Sequence, residues 1–259
     1  MRRFRRFIAT IWLCFNERVS ICACSEQLTA MNFPPLDPGV MPNNVYPPYK
    51  STLARGPIQP RVLLARSHAT RARIAQPQSL SADDADLTAH GSGAPLGQAM
   101  TVSGRVVDES GNAVTHSLIE VWQCNAAGRY AHVKDDHDAP LDPNFPGYGK
   151  VLTDTDGCYR FKTIKPGAYP WGNHHNAWRP AHIHFSLFGN VYAQRMITQM
   201  YFPDDPLFPF DPIFDSISDG AARQRLISRF SLDQSVSGTS LGFVFDIVLR
   251  GRDATPMGI

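Results

Sequence analysis

The chain has no long hydrophobic run, no paired-cysteine pattern, no internal repeat and no basic stripe. Each absence removes a class of function. Nothing approaches the ~20 apolar residues of a membrane-spanning helix, so no membrane partner is expected. Of five cysteines, Cys14, Cys22 and Cys24 fall in the first 30 residues, and only Cys124 and Cys158 in the expected core. That uneven, odd set is not a disulfide framework, and free thiols in a reducing, cytoplasmic compartment are expected. The net charge is +2 over 259 residues, but the excess is local. Five arginines against Glu17 and Glu26 leave residues 1–30 at +3, so the remainder sums to −1. No basic surface is left for a nucleic acid.

What is present begins with an ambiguous N-terminus. Met1 to Arg6, followed by Phe7 to Phe15, has the basic and apolar parts of a signal peptide. Glu17-Arg18 interrupts the apolar run, and no small-residue cleavage site follows. The expectation is that residues 1–30 are an over-extended start and that Met31 begins the protein, with a targeting segment as the alternative. Residues 31–98 read as a proline-rich arm and irregular connection, with Pro34-Pro35, Pro38, Pro42, Pro47-Pro48, Pro57 and Pro60.

From residue 99 to residue 259 the pattern becomes that of short strands between turns. Strands are expected at Thr101 to Val107, Ser117 to Gln123, Cys158 to Lys162, His182 to Leu187, Ile197 to Phe202 and Leu241 to Leu249. Tyr159 and Phe161 alternate with Arg160 and Lys162, which marks one buried face. One helix is expected after Ser218-Asp219, where Ala222, Leu226 and Phe230 recur every four residues. The fold class is all-β: an antiparallel, prealbumin-like β-sandwich with one or two short helices.

The stretch Arg179-Pro180-Ala181-His182-Ile183-His184 carries the most chemistry. Two histidines at i and i+2 project from one face of a strand, while Ile183 and Phe185 face the core. A His-x-His pair alone is a weak metal signal, commonly an ordinary polar face. Arg179 adds a permanent cation, and Trp171 and Trp178 add apolar walls. Tyr169, thirteen residues upstream of His182, raises a third ligand. A phenol with pKa ~10 ligates well only when the metal makes its ionisation favourable. Tyrosinate and imidazole together therefore suit ferric iron better than zinc. The plain alternative for Tyr169, and for Tyr130 in Gly128-Arg-Tyr130, is a tyrosine at the edge of the sandwich.

At these residues the sequence resembles the intradiol ring-cleavage dioxygenases. The resemblance runs from about Tyr49 to Arg250. It is densest at Gly104 to Asp108, Val121-Trp-Gln123, Pro140 to Phe145, Thr163 to Gly167, Trp178 to Phe185 and Phe245 to Gly251. It implies a non-haem Fe(III) held by Tyr130, Tyr169, His182 and His184. Within the family it points to the iron-bearing β subunit of members that cleave protocatechuate (3,4-dihydroxybenzoate) with O2. The product implied is 3-carboxy-cis,cis-muconate, and an α subunit of similar fold is the implied partner. Tyr169 would leave the metal on substrate binding and take up a proton. Arg179 would stabilise developing negative charge, and Gln199 would be a pocket glutamine. Tyr49 would meet the substrate carboxylate, with Arg55 supporting that end, and Trp171 and Ile213 would flank the ring. His174-His175 departs from the family pattern and is read as exposed loop.

Three other readings compete. Intradiol cleavage of catechol or hydroxyquinol would go with a helical N-terminal segment, which residues 31–98 do not resemble. A non-catalytic prealbumin-like binding module would hold no stoichiometric iron. A zinc hydrolase ranks last, lacking a clear third ligand and a general-base carboxylate.

Overall fold

The computed structural model describes residues 80–172, 174–188 and 195–257. The expectations for residues 1–79, including Tyr49 and Arg55, lie outside these residues. The strands are β1 (Ala99–Val107), β2 (Leu118–Trp122), β3 (Tyr148–Leu152), β4 (Cys158–Ile164), β5 (Tyr169–Trp171), β6 (Ala177–Arg179), β7 (His182–Phe188), β8 (Arg195–Tyr201), β9 (Arg229–Phe230), β10 (Leu241–Val244) and β11 (Ile247–Val248). Two short helices, α1 (Pro212–Asp215) and α2 (Gly220–Gln224), fall between β8 and β9.

Two sheets face each other across one core. The first has the order β11-β1-β10-β9, with β4 also on β1. The second has the order β3-β2-β7-β8, and β5 and β6 form a separate hairpin. Most pairings are antiparallel, but β1 pairs in parallel with β10 and β11. The alternation expected in β4 is present: Tyr159 and Phe161 are buried, and Arg160 and Lys162 exposed. They meet Val102 and Phe243 of their own sheet and Ile119, Val121, Ile183 and Phe185 of the other. Leu87, in the segment read as irregular connection, also inserts into this core. A satellite cluster of Tyr201, Phe214, Ile217, Ala222 and Leu226 lies beneath the two helices.

The expected helix to Phe230 stops at Gln224. The Leu226 carbonyl accepts from Tyr201 N at 2.8 Å, and Ser228 N donates to the Tyr201 carbonyl at 2.9 Å. Backbone pairing with the end of β8 thus takes over from the four-residue periodicity, while Leu226 is still buried. Phe230 instead pairs with Phe243 and is half exposed.

The strand expected from Leu241 to Leu249 breaks at Phe245-Asp246, between β10 and β11. There the Phe245 carbonyl turns in to accept from the Tyr159 hydroxyl at 2.5 Å. A Cβ at Gly104 would lie 1.8 Å from that carbonyl oxygen, so the close approach requires glycine.

Candidate metal centre

Two strand registers assemble most of the site. In the second sheet, His184 of β7 faces Trp122 of β2 on one side and Gln199 of β8 on the other. His182, one pleat away, faces Tyr201. In the β5–β6 hairpin, Tyr169 and Arg179 are direct cross-strand partners, and Trp171 faces Ala177. Residues separated widely in sequence are thereby held at the ~5 Å spacing of paired strands.

Tyr130 arrives by a different route. Asn125 organises its turn, with Oδ1 accepting from the backbone of Ala127 and Arg129 at 2.9 and 3.0 Å. Asp135 then accepts from Tyr130 N at 2.7 Å. Gly128 has φ +83°, and a Cβ there would lie 2.4 Å from the Ala168 carbonyl oxygen. Gly167 is equally tight against Ala126 and Gly128, at 2.5 and 2.6 Å. These two glycines let the backbones that carry Tyr130 and Tyr169 cross in contact.

The donor atoms converge. His182 Nε2 and His184 Nε2 are 3.2 Å apart, and the Tyr130 hydroxyl is 3.2 Å from His184 Nε2. Tyr169 completes the group, its ring 5.6 Å from that of Tyr130 and 5.7 Å from that of His182. His182 Nδ1–H donates to the Pro180 carbonyl at 2.6 Å, which leaves its Nε2 lone pair free to ligate. Trp122 stacks flat on His184 at 4.7 Å.

Burial, with Arg179 beside it, pushes His184 down to about 3. Burial and the same cation hold His182 well below its ordinary value, so both imidazoles are neutral at pH 7. Burial raises Tyr130 well above the phenol range, and Tyr169 reinforces this. Burial also raises Tyr169, with Arg179 pulling the other way. Among the described residues no group of three or more His, Cys, Asp or Glu could hold a metal. The phenols supply further donors, and two oxygens with two neutral imidazole nitrogens fit a hard trivalent ion. Such an ion supplies the charge that a buried phenol needs to ionise.

Arg179 is almost wholly buried, at 3% exposure. Burial works against its charge, but Asp211 outweighs it and holds the guanidinium protonated. Its carbon lies 5.2 Å from the Trp171 ring. A cavity of about 630 Å³ opens beside the site, lined in part by Trp122, Tyr130, Asp135, Tyr169, Trp171 and His184. Gln199 and Ile213 are buried and are not among the residues that line it: Gln199 accepts from Arg179, and Ile213 lies in α1. Trp178 is partly exposed, as is His174, and His175 is exposed.

Trp122, Asp135, Tyr201 and Asp211 were not singled out from the sequence. Alternation along β2 puts Trp122 on the face opposite Val121, which was legible once that strand was drawn. Asp211-Pro212 is a helix-start signature, but nothing local pairs it with Arg179.

The chain matches the Dioxygenase family (Dioxygenase_C) over residues 75–251. It is 58% identical over 219 residues to the protocatechuate 3,4-dioxygenase beta chain of Burkholderia cepacia, covering 83% of this chain and 93% of that protein. The protocatechuate 3,4-dioxygenase alpha chain of Pseudomonas putida is 29% identical over 161 residues, covering 61% of this chain and 75% of that protein. Hydroxyquinol 1,2-dioxygenase of Rhizobium sp. (strain MTP-10005) is also 29% identical over 161 residues, but this covers only 57% of this chain and 50% of that protein. Matching an enzyme family this extensively sets aside the non-catalytic module. With the match spanning all four converging side chains, this chain belongs to the intradiol ring-cleavage dioxygenase family.

Proposed function

We propose that this chain is the iron-bearing β subunit of a protocatechuate 3,4-dioxygenase. It would cleave 3,4-dihydroxybenzoate with O2, between the two hydroxylated carbons, to 3-carboxy-cis,cis-muconate. The observation that carries this reading is the likeness to the Burkholderia beta chain over nearly that protein's full length. The converging tyrosines and histidines support it.

In this reading Tyr130, Tyr169, His182 and His184 hold a ferric ion. When bound, Fe(III) supplies a Lewis-acidic, electron-withdrawing centre that makes a chelated catechol reactive toward O2. The protein's own groups do the rest. Tyr169 lies on the cavity wall, where, ionised by the metal, its oxygen would accept a proton from a substrate hydroxyl. Arg179 presents a permanent cation, held beside the ring by Trp171 and able to stabilise developing negative charge. Trp122 and Trp171 give the ring apolar walls. Tyr49, with Arg55 behind it, is assigned to the substrate carboxylate. An α subunit completes the pocket, in keeping with the resemblance to an alpha chain.

The test is to prepare the chain with its α partner, measure iron, and follow O2 uptake on protocatechuate, catechol and hydroxyquinol. A red-brown protein with stoichiometric iron and preference for protocatechuate is expected. A colourless protein that stays inert after ferric reconstitution would overturn the assignment, and rapid turnover of catechol alone would overturn the substrate.

A further inference from the structure

We infer that Asp211 is a positioning residue for the reaction: it fixes the Arg179 guanidinium in the site and links that position to Ile213. The inference rests on the proposed function.

Asp211 is wholly buried and is the carboxylate paired with Arg179 among the described residues. Its two oxygens straddle Arg179 Nε, at 3.2 Å from Oδ1 and 3.3 Å from Oδ2. Arg179 Nη2 donates to Gln199 Oε1 and, at 3.3 Å, to the Tyr201 hydroxyl. The Nε–Nη2 edge of the guanidinium is thus committed to the interior. Among the described residues no hydrogen bond engages Nη1, the nitrogen that the proposed function leaves to the substrate.

Asp211 itself is anchored from two further directions. Oδ2 accepts from the Tyr201 hydroxyl at 2.8 Å. Oδ1 accepts from Ile213 N at 2.9 Å, capping α1. Three hydrogen bonds, from three different segments, hold the carboxylate, so it cannot swing without breaking one. Tyr201 pairs with His182 in the sheet, and Ile213 lies in the first turn of the helix. One side chain therefore joins β8 (the strand next to the histidines), the cation and the helix start. Stability alone does not call for this pair, because a buried ion pair gains little over apolar packing. What a fork held on two sides does supply is a fixed direction for the remaining nitrogen.

The test uses the iron-loaded enzyme with its α partner, as Asp211→Asn and Asp211→Glu. Asparagine keeps the shape and the helix cap but removes the charge. Glutamate keeps the charge but displaces it. For both, iron content and the tyrosinate absorption should be unchanged, and anaerobic binding of protocatechuate should stay within about threefold. The kcat per iron should fall ~10–100-fold, the range for supporting groups around a reactive centre. In an Arg179→Gln background Asp211→Asn should cost nothing further, because both changes remove one function.

Wild-type kcat per iron in either variant, or a full multiplicative loss in the Arg179→Gln background, would overturn the inference. If Asp211→Asn does not fold, Asp211→Glu decides. A wild-type enzyme inert toward protocatechuate would instead overturn the functional reading, and this inference with it.

Discussion

The histidine half and the tyrosine half of the site are placed by different physics. His182 and His184 lie on β7, where a period of two and pairing on both flanks set their spacing. Ile183 and Phe185, which alternate with them and lie in the core, prevent a one-residue slip from going unnoticed. Tyr130 lies on a connection and Tyr169 on a three-residue strand. Their approach depends on Gly128, Gly167, Asn125 and Asp135, none of which ligates. A sheet positions ligands through its ordinary ladder, whereas a connection needs dedicated turn chemistry at each step. The tyrosine half should therefore be the easier to disturb without touching a ligand.

The largest effects should come from the four proposed ligands and should distinguish the halves. His184→Ala is expected to abolish iron retention and cut activity by more than the ~10–100-fold typical of outer-shell partners. Tyr130→Phe should retain some iron but shift the visible absorption, since one of two tyrosinates is gone. Metal analysis and visible spectra report both. Equal iron loss in the two variants would remove the distinction.

Next in size is a change that ligates nothing. Gly128→Ala meets both a positive φ and a backbone oxygen at 2.4 Å, and should cost about 2–4 kcal/mol in urea unfolding of the metal-free protein. Gly238, at φ +70° with nothing near its Cβ position, is the control. There alanine should cost only the ~1–2 kcal/mol of the left-handed backbone. Equal costs would mean that close approach does not set the tyrosines.

The smallest effect is on pH dependence, and it has opposite signs in the two halves. Both histidines are depressed in the folded, metal-free protein. Their contribution is whole above the unfolded value near 6.5 and falls as the pH drops, because the unfolded chain takes up protons that the fold refuses. With His184 at about 3, this amounts to about 2 kcal/mol between pH 7 and pH 5. The tyrosines are raised, so their contribution is whole below about 10 and is lost as the pH rises beyond it. Tyr159 and Tyr201 share that direction, so Tyr130→Phe should reduce the alkaline loss only in part. Denaturant midpoints from pH 5 to pH 11 check both limbs.

Much of this protein is written locally. The alternation in β4 and β7 set the buried faces, because a strand's side-chain period depends only on its own residues. The four converging side chains, Arg179 and Trp171 were legible from residue chemistry together with a family resemblance. The helix expected to run to Phe230 was not, because Tyr201 offers backbone partners that a local periodicity cannot anticipate.

Asp211 shows the same division. Asp211-Pro212 marks a helix start in any sequence, and that much is local. Its pairing with Arg179, 32 residues away, exists only because the β5–β6 hairpin and the helices pack against the same end of β8. By itself the sequence determined the main strands of the two sheets, though not β3, β5, β6 or β9, and the candidate ligands and the kind of metal that suits them. The tertiary structure alone decided which backbones cross at Gly128 and which carboxylate holds the cation, since both depend on contacts between segments that share no local pattern.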